Sequence, residues 1–120
     1  MGLQIFARKS GSVTILDLRG RITIGADGDS FRDELRKLAE SGPCDVLVNL
    51  AEVTHLDSSG IGALVQSYVT LTRGGGSLKI LNPTGNVREV LEITHVTNSL
   101  ATYTDEAKAL ASFGAKATHA

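Results

Sequence analysis

The stretch DVLVNLAEVTHLDSSGIGALVQSY, residues 45–68, decides the reading of the fold. Val46 to Leu50 are apolar at nearly every position, the pattern of a strand covered on both faces. Ile61, Leu64, Val65 and Tyr68, with Leu71 or Thr72 after them, recur at helical spacing. Between the two segments lies Asp57-Ser58-Ser59-Gly60, a run of residues that favour helix starts.

The alternation continues in both directions. Upstream, ADGDSFRDELRKLAESG (26–42) places Phe31, Leu35, Leu38 and Ala39 on one stripe, with Gly42 suited to the left-handed turn that ends a helix. Before it, Leu3, Ile5 and Ala7 alternate with polar and aromatic neighbours. The turn Lys9-Ser10-Gly11-Ser12 leads into VTILDLRG (13–20), so these two strands are expected to form an antiparallel hairpin. Downstream, Gly74 to Gly76 stop the helix and Ser77-Leu78-Lys79-Ile80-Leu81 reads as a short strand. Asn82-Pro83 predicts a capped helix start with Val87, Val90 and Leu91 on one face. Leu100 to Tyr103 is expected as a last strand. Thr104-Asp105-Glu106 opens a final helix with Ala107, Leu110 and Ala111 inward, and residues 114–120 are expected to form a frayed tail. The order is β-β-α-β-α-β-α-β-α. Right-handed crossovers make the later strands parallel, so the fold class is α/β with a mixed sheet and about four helices.

All 120 residues fit one domain, and a hydrophobic content of 42% fills a single core. The formal net charge is −1 and no Lys/Arg block stands out, which speaks against nucleic acid as a partner. No apolar run approaches the ~20 residues that span a bilayer, and MGLQIFARKS lacks the apolar core of a signal peptide. Met1-Gly2 matches a myristoylation start only loosely. Cys44 is the only cysteine, which excludes an internal disulfide; it is expected as a small buried or half-buried residue. The cytoplasm is the expected compartment.

In open α/β sheets, sites gather outside the carboxyl ends of parallel strands. Two loops leave such ends here, GRITIGADGD after the second strand and AEVTHLDSSG after the third, and they are expected on one rim if the two strands are neighbours. Asp57, Ser58 or Ser59 can each cap the helix that follows, and Gly60, helped by Gly62, lets that helix approach the sheet closely. A serine-hydrolase elbow needs glycine two positions either side of the nucleophile. Around Ser58 those positions hold Leu56 and Gly60, and around Ser59 they hold Asp57 and Ile61. His95 is the later histidine, with no obvious Asp before it in the required order, and it is better read as facing the carbonyl end of the third helix. Neither Gly60-Ile61-Gly62 nor Arg73-Gly74-Gly75-Gly76 has phosphate-loop spacing, and His55 with Asp57 lacks two further metal ligands. No cofactor or metal is expected. Beside a purely structural cap, the remaining reading is modification: a phosphoserine adds about −1.5 to −2 charges, which a helix N-terminus tolerates. One such charge ~4 Å from a like charge costs about 4 kcal/mol at an effective dielectric near 20. A hundredfold loss of affinity needs only about 2.8 kcal/mol.

The run VLVNLAEVTHLDSSGIGALVQSY resembles the signature of the STAS domain, the fold of bacterial anti-sigma factor antagonists and sulfate-transporter tails. The likeness includes Gly20 at the end of the second strand, the glycines before Ser77-Leu78-Lys79-Ile80-Leu81, and the helix Val87-Arg88-Glu89-Val90-Leu91-Glu92. It implies that Ser58 is a phosphoacceptor, with Asp57, Ser59, Gly60, Ile61 and Thr23 forming the acceptor loops and partner contact. It also implies an anti-sigma factor with Ser kinase activity as partner, ATP consumed by that partner, a Ser phosphatase that resets the switch, and no catalysis by the chain itself. Thr23 departs from the acidic residue common in the antagonist branch, which leaves this loop less acidic. The rival readings are a scaffold or accessory subunit of a stress-signalling or lipid-transport complex and, more remotely, a serine hydrolase. A monomer or weak dimer is expected.

Overall fold

A computed structural model describes residues 3–23 and 25–117. Its elements are β1 (Leu3–Ser10), β2 (Val13–Ile22), α1 (Ala26–Glu40), β3 (Asp45–Leu56), α2 (Ser58–Arg73), β4 (Ser77–Leu81), α3 (Gly85–Ile93), a 3-10 turn (Val96–Asn98), β5 (Thr102–Tyr103) and α4 (Glu106–Ala117). One sheet runs in the order β1-β2-β3-β4-β5. β1 and β2 pair antiparallel and every later neighbour is parallel, as the element order requires. The mixed α/β class is therefore the observed one.

Strand alternation separates two cores. Leu16, Leu18, Val46, Val48, Leu78 and Ile80 meet Phe31 and Leu35 of α1, Leu64 and Leu71 of α2, and Val87 and Leu91 of α3. Val13, Ile15, Leu47 and Leu81 point the other way and meet Ala109 and Phe113 of α4. The three crossover helices thus share one face and α4 takes the opposite one. Beside α4, the open part of that face is polar: Arg8 of β1 bridges Asp17 of β2 at 2.6 Å and Glu106 of α4 at 2.7 Å, and Asn49 of β3 donates to Asp17 at 2.8 Å.

Four expectations need correction. β2 runs past Gly20 to Ile22, and Ala51 to Leu56 are strand instead of loop. Buried Leu50, Val53 and Leu56 lie three apart, which plain alternation forbids. Two register shifts against β2 each insert one extra residue into β3 and return these side chains to the same core. Second, α3 starts at Gly85, with Thr84 at the N-cap, instead of at Pro83. The Asn82 N–H donates to the Tyr103 carbonyl at 2.7 Å, so the chain is still tied to β5 where the cap was expected. Third, α4 buries Ala109 and Phe113 and half-buries Leu110, while Ala107 and Ala111 are exposed. Phe113 sets the rotation of the helix, with Lys79 Nζ 4.6 Å from its ring centre and 2.7 Å from Ser112 Oγ. Fourth, Val65 of α2 is exposed, because small Gly60, Ala63 and Ser67 form the face that approaches the sheet; of the alternatives Leu71 and Thr72, Leu71 is the buried one. Cys44 is half-buried, 3.9 Å from the Thr14 hydroxyl. The backbone is helical through Ala117, and the rest of the expected tail, 118–120, lies outside the described residues.

Candidate functional site

β2 and β3 end side by side, with Ile22 paired to Leu56, so the two loops do share one rim. The Asp57 N–H points at the Ile22 carbonyl at 3.5 Å, and half-buried Thr23 follows directly. Asp57 is extended (φ −102°, ψ −174°), and its Oδ1 accepts the Gly60 N–H at 2.9 Å. Its carbonyl takes the first helical bond, from the Ile61 N–H at 3.0 Å. Asp57 is thus the cap that composition alone left open among three residues, and neither serine is needed for it.

The serines then differ by position on the helix. Ser58, the first helical residue, is exposed, and no described residue hydrogen-bonds its hydroxyl. Ser59 is half-buried, and its carbonyl accepts from Arg32 Nη2 of α1 at 3.4 Å. Gly60 is buried; a Cβ there would collide with the Ile22 carbonyl and stand 2.6 Å from Leu56 Cδ1. Ile61 is half-buried against the main core, so it supports the turn from beneath. Gly62 contributes nothing to the close approach, since a Cβ there would meet no atom within 4 Å.

Around the rim, Thr54 Oγ1 donates to the Gly20 carbonyl at 3.2 Å and lies 2.9 Å from His55 Nδ1. Exposed Arg21 is the register partner of His55, so one arginine flanks the turn on the β2–β3 side as Arg32 does on the α1 side. Among the described residues, the His55 ring is turned to Thr54 and His95 follows the far end of α3, so neither histidine is placed beside a serine of the turn. His95 instead lines a groove with Val65, Tyr68 and Val69, two turns along α2 from Ser58. Its backbone N–H, held in a left-handed conformation (φ 61°), satisfies the helix end by donating to Glu92 at 3.1 Å. Arg32 is the site residue that sequence reading missed; its only signal was a place one helical turn before Arg36 on the flank of α1.

Comparison with known proteins agrees with this geometry. The STAS domain family model matches residues 4–109. The anti-sigma-B factor antagonist of Bacillus subtilis (strain 168) is 27% identical over 94 residues, covering 78% of this chain and 84% of the relative. The crystal structure of an anti-sigma factor antagonist from Mycobacterium paratuberculosis superposes with a TM-score of 0.82 at 16% identity, covering 92% of this chain and 93% of that one. The Bacillus antagonist SpoIIAA is similar in its unphosphorylated form, with TM-score 0.76, 19% identity and coverage of 92% and 97%. Its phosphorylated form gives 0.68, 18%, and coverage of 88% and 96%. Sheet order and family match agree, and the chain belongs to the STAS domain family.

Proposed function

We propose that this chain is an anti-sigma factor antagonist switched by phosphorylation of Ser58. The observation that carries the reading is the division of labour at the start of α2, where Asp57 caps the helix and leaves the Ser58 hydroxyl exposed. A phosphoryl group added there does not remove the cap, and the first-turn N–H groups favour its charge. The effect is then felt by whatever docks on the rim. Relatives named as antagonists of anti-sigma factors, one of them solved with and without phosphate, support the same reading.

The unphosphorylated chain binds an anti-sigma factor that is also a Ser kinase and so frees a sigma factor. The kinase moves the γ-phosphoryl of ATP to Ser58 Oγ, the complex dissociates, and a Ser phosphatase restores the hydroxyl. The chain works in the cytoplasm as substrate and binding module, with no cofactor of its own. Thr23, beside the acceptor turn, makes the rim less acidic than is common among antagonists and so takes part in partner choice. The test is a pull-down from the source organism with Ser58→Ala and Ser58→Asp baits of equal thermal stability. An ATP-dependent Ser kinase captured by the Ala bait alone supports the switch. The same complex on both baits overturns it in favour of a scaffold.

A further inference from the structure

On α2, Ser58, Gly62, Gln66 and Thr70 are four residues apart and form one row along the helix. Gln66 and Thr70 line a cleft whose opposite wall is Arg32, Leu35 and Arg36 of α1; the row turns by about 40° at each step, so Gly62 lies between the cleft-lining residues and Ser58. Arg32 stands at the upper end of the cleft, with Nη2 3.4 Å from the carbonyl of Ser59, the residue next to the acceptor. Its other partner is Asp29, also at 3.4 Å and with a side chain 75% exposed. Both contacts are long for N–H···O bonds and each is readily exchanged. Arg36, one turn further, is held by Asp33 at 2.6 Å.

Gly62 adds an independent observation. Glycine inside a helix costs about 1 kcal/mol relative to alanine, and a Cβ at this position would meet nothing within 4 Å. Packing does not require the glycine. Its effect is to keep the space open one turn below Ser58, between the acceptor and the mouth of the cleft.

We propose that phosphoserine 58 is received by Arg32 within the same chain. This rests on the reading of Ser58 as the acceptor. On phosphorylation the Arg32 guanidinium leaves Asp29 and the Ser59 carbonyl and pairs with the phosphoryl oxygens over the open space at Gly62, exchanging two long contacts for charge-assisted bonds to a dianion. The pairing favours the dianion over the monoanion, so the phosphate keeps its full charge near neutral pH and stands at a fixed place on the rim. Arg32 is a positioning residue for the phosphorylated state and has no part in unmodified binding.

The test places phosphoserine at position 58 by genetic encoding and follows its second ionisation by phosphorus-31 NMR in the full chain. Arg32→Gln is expected to raise that pKa by about half a unit. Arg32→Lys, which keeps the charge and loses the fork, is expected to fall between the two. Arg36→Gln is expected to leave the value unchanged. Proton–nitrogen correlation spectra establish that each variant is folded, and the lysine variant serves if the glutamine one is not. Identical titrations for wild type and Arg32→Gln, or an equal shift from Arg36→Gln, overturn the proposal. Because the phosphate is installed directly, that failure leaves the Ser58 switch untouched; loss of the switch in the pull-down likewise leaves the clamp measurable.

Discussion

At the scale of single residues, the turn from Asp57 to Gly60 separates a capping carboxylate from an exposed hydroxyl. Asp57 holds the helix start through its bond to Gly60, so Asp57→Ala is expected to cost about 0.5–2 kcal/mol in urea denaturation. Ser58→Ala removes an exposed hydroxyl without a partner and should stay within about 0.5 kcal/mol of wild type. The reverse ranking would mean that the serine is the cap. Gly60 is constrained from another side, by the Ile22 carbonyl and Leu56. Gly60→Ala must push α2 away from the sheet and is expected to destabilise by about 1–3 kcal/mol. Sequence reading located this turn and its glycine. It did not choose among three possible caps, because aspartate and serine make the same bond to a first-turn N–H and only the entering backbone decides which side chain reaches it.

Among the elements, α2 combines a buried face of small residues with an exposed row that begins at Ser58. Gly62 lies on that row with open space around it, so Gly62→Ala should raise stability by up to about 1 kcal/mol, opposite in sign to Gly60→Ala. Thermal denaturation of the two variants side by side reads both signs, and a destabilised Gly62→Ala would show a packing role that the geometry lacks. β3 shows where periodicity gives out. Its first half was legible because Val46, Val48 and Leu50 are buried by helices on one face and Leu47 by α4 on the other. Its second half was not, because two extra residues replace the two-residue period by the three-residue spacing of Leu50, Val53 and Leu56. The same local patterns that revealed α4 could not fix its rotation, since four of its first six residues are alanine or leucine and the choice belongs to Phe113 in the facing core. Arg32 stayed hidden for a similar reason: its neighbour Ser59 is distant in sequence and adjacent only after α1 and α2 pack.

For the whole molecule, the sheet divides its faces between one large core beneath three helices and a smaller one beneath α4, and the Arg8 network fastens the second. Hydrogen bonds from Arg8 hold the Glu106 carboxyl below its ordinary range; partial burial works against this and the Arg8 charge works with it. Burial alone would raise the Asp17 carboxyl, but hydrogen bonds from Arg8 and Asn49, with the Arg8 charge, outweigh it and lower the pKa. Both carboxylates therefore resist protonation more in the folded than in the unfolded chain. Their contribution is complete above the unfolded carboxylate range, roughly pH 5 and higher, and is lost as pH falls through the lowered folded values. Arg8→Gln should cost about 1 kcal/mol at neutral pH and flatten the acid limb of the stability–pH curve; an unchanged acid limb would show that the network is not coupled to folding. The element order and the parallel sense of the later strands were readable, because each crossover has one allowed hand; which strands are neighbours, in the order β1-β2-β3-β4-β5, came only from the fold. That order brings the ends of β2 and β3 together and makes the rim a single surface around Ser58. The central claim is that a phosphate at this one position controls what the rim binds, and calorimetric titration tests it most directly. The kinase captured by the Ser58→Ala bait is titrated with the unmodified chain and with the chain carrying phosphoserine at 58. Binding at least about a hundredfold weaker for the phosphorylated chain is the predicted result, a difference of about 2.8 kcal/mol. Equal affinity for the two forms would contradict the account.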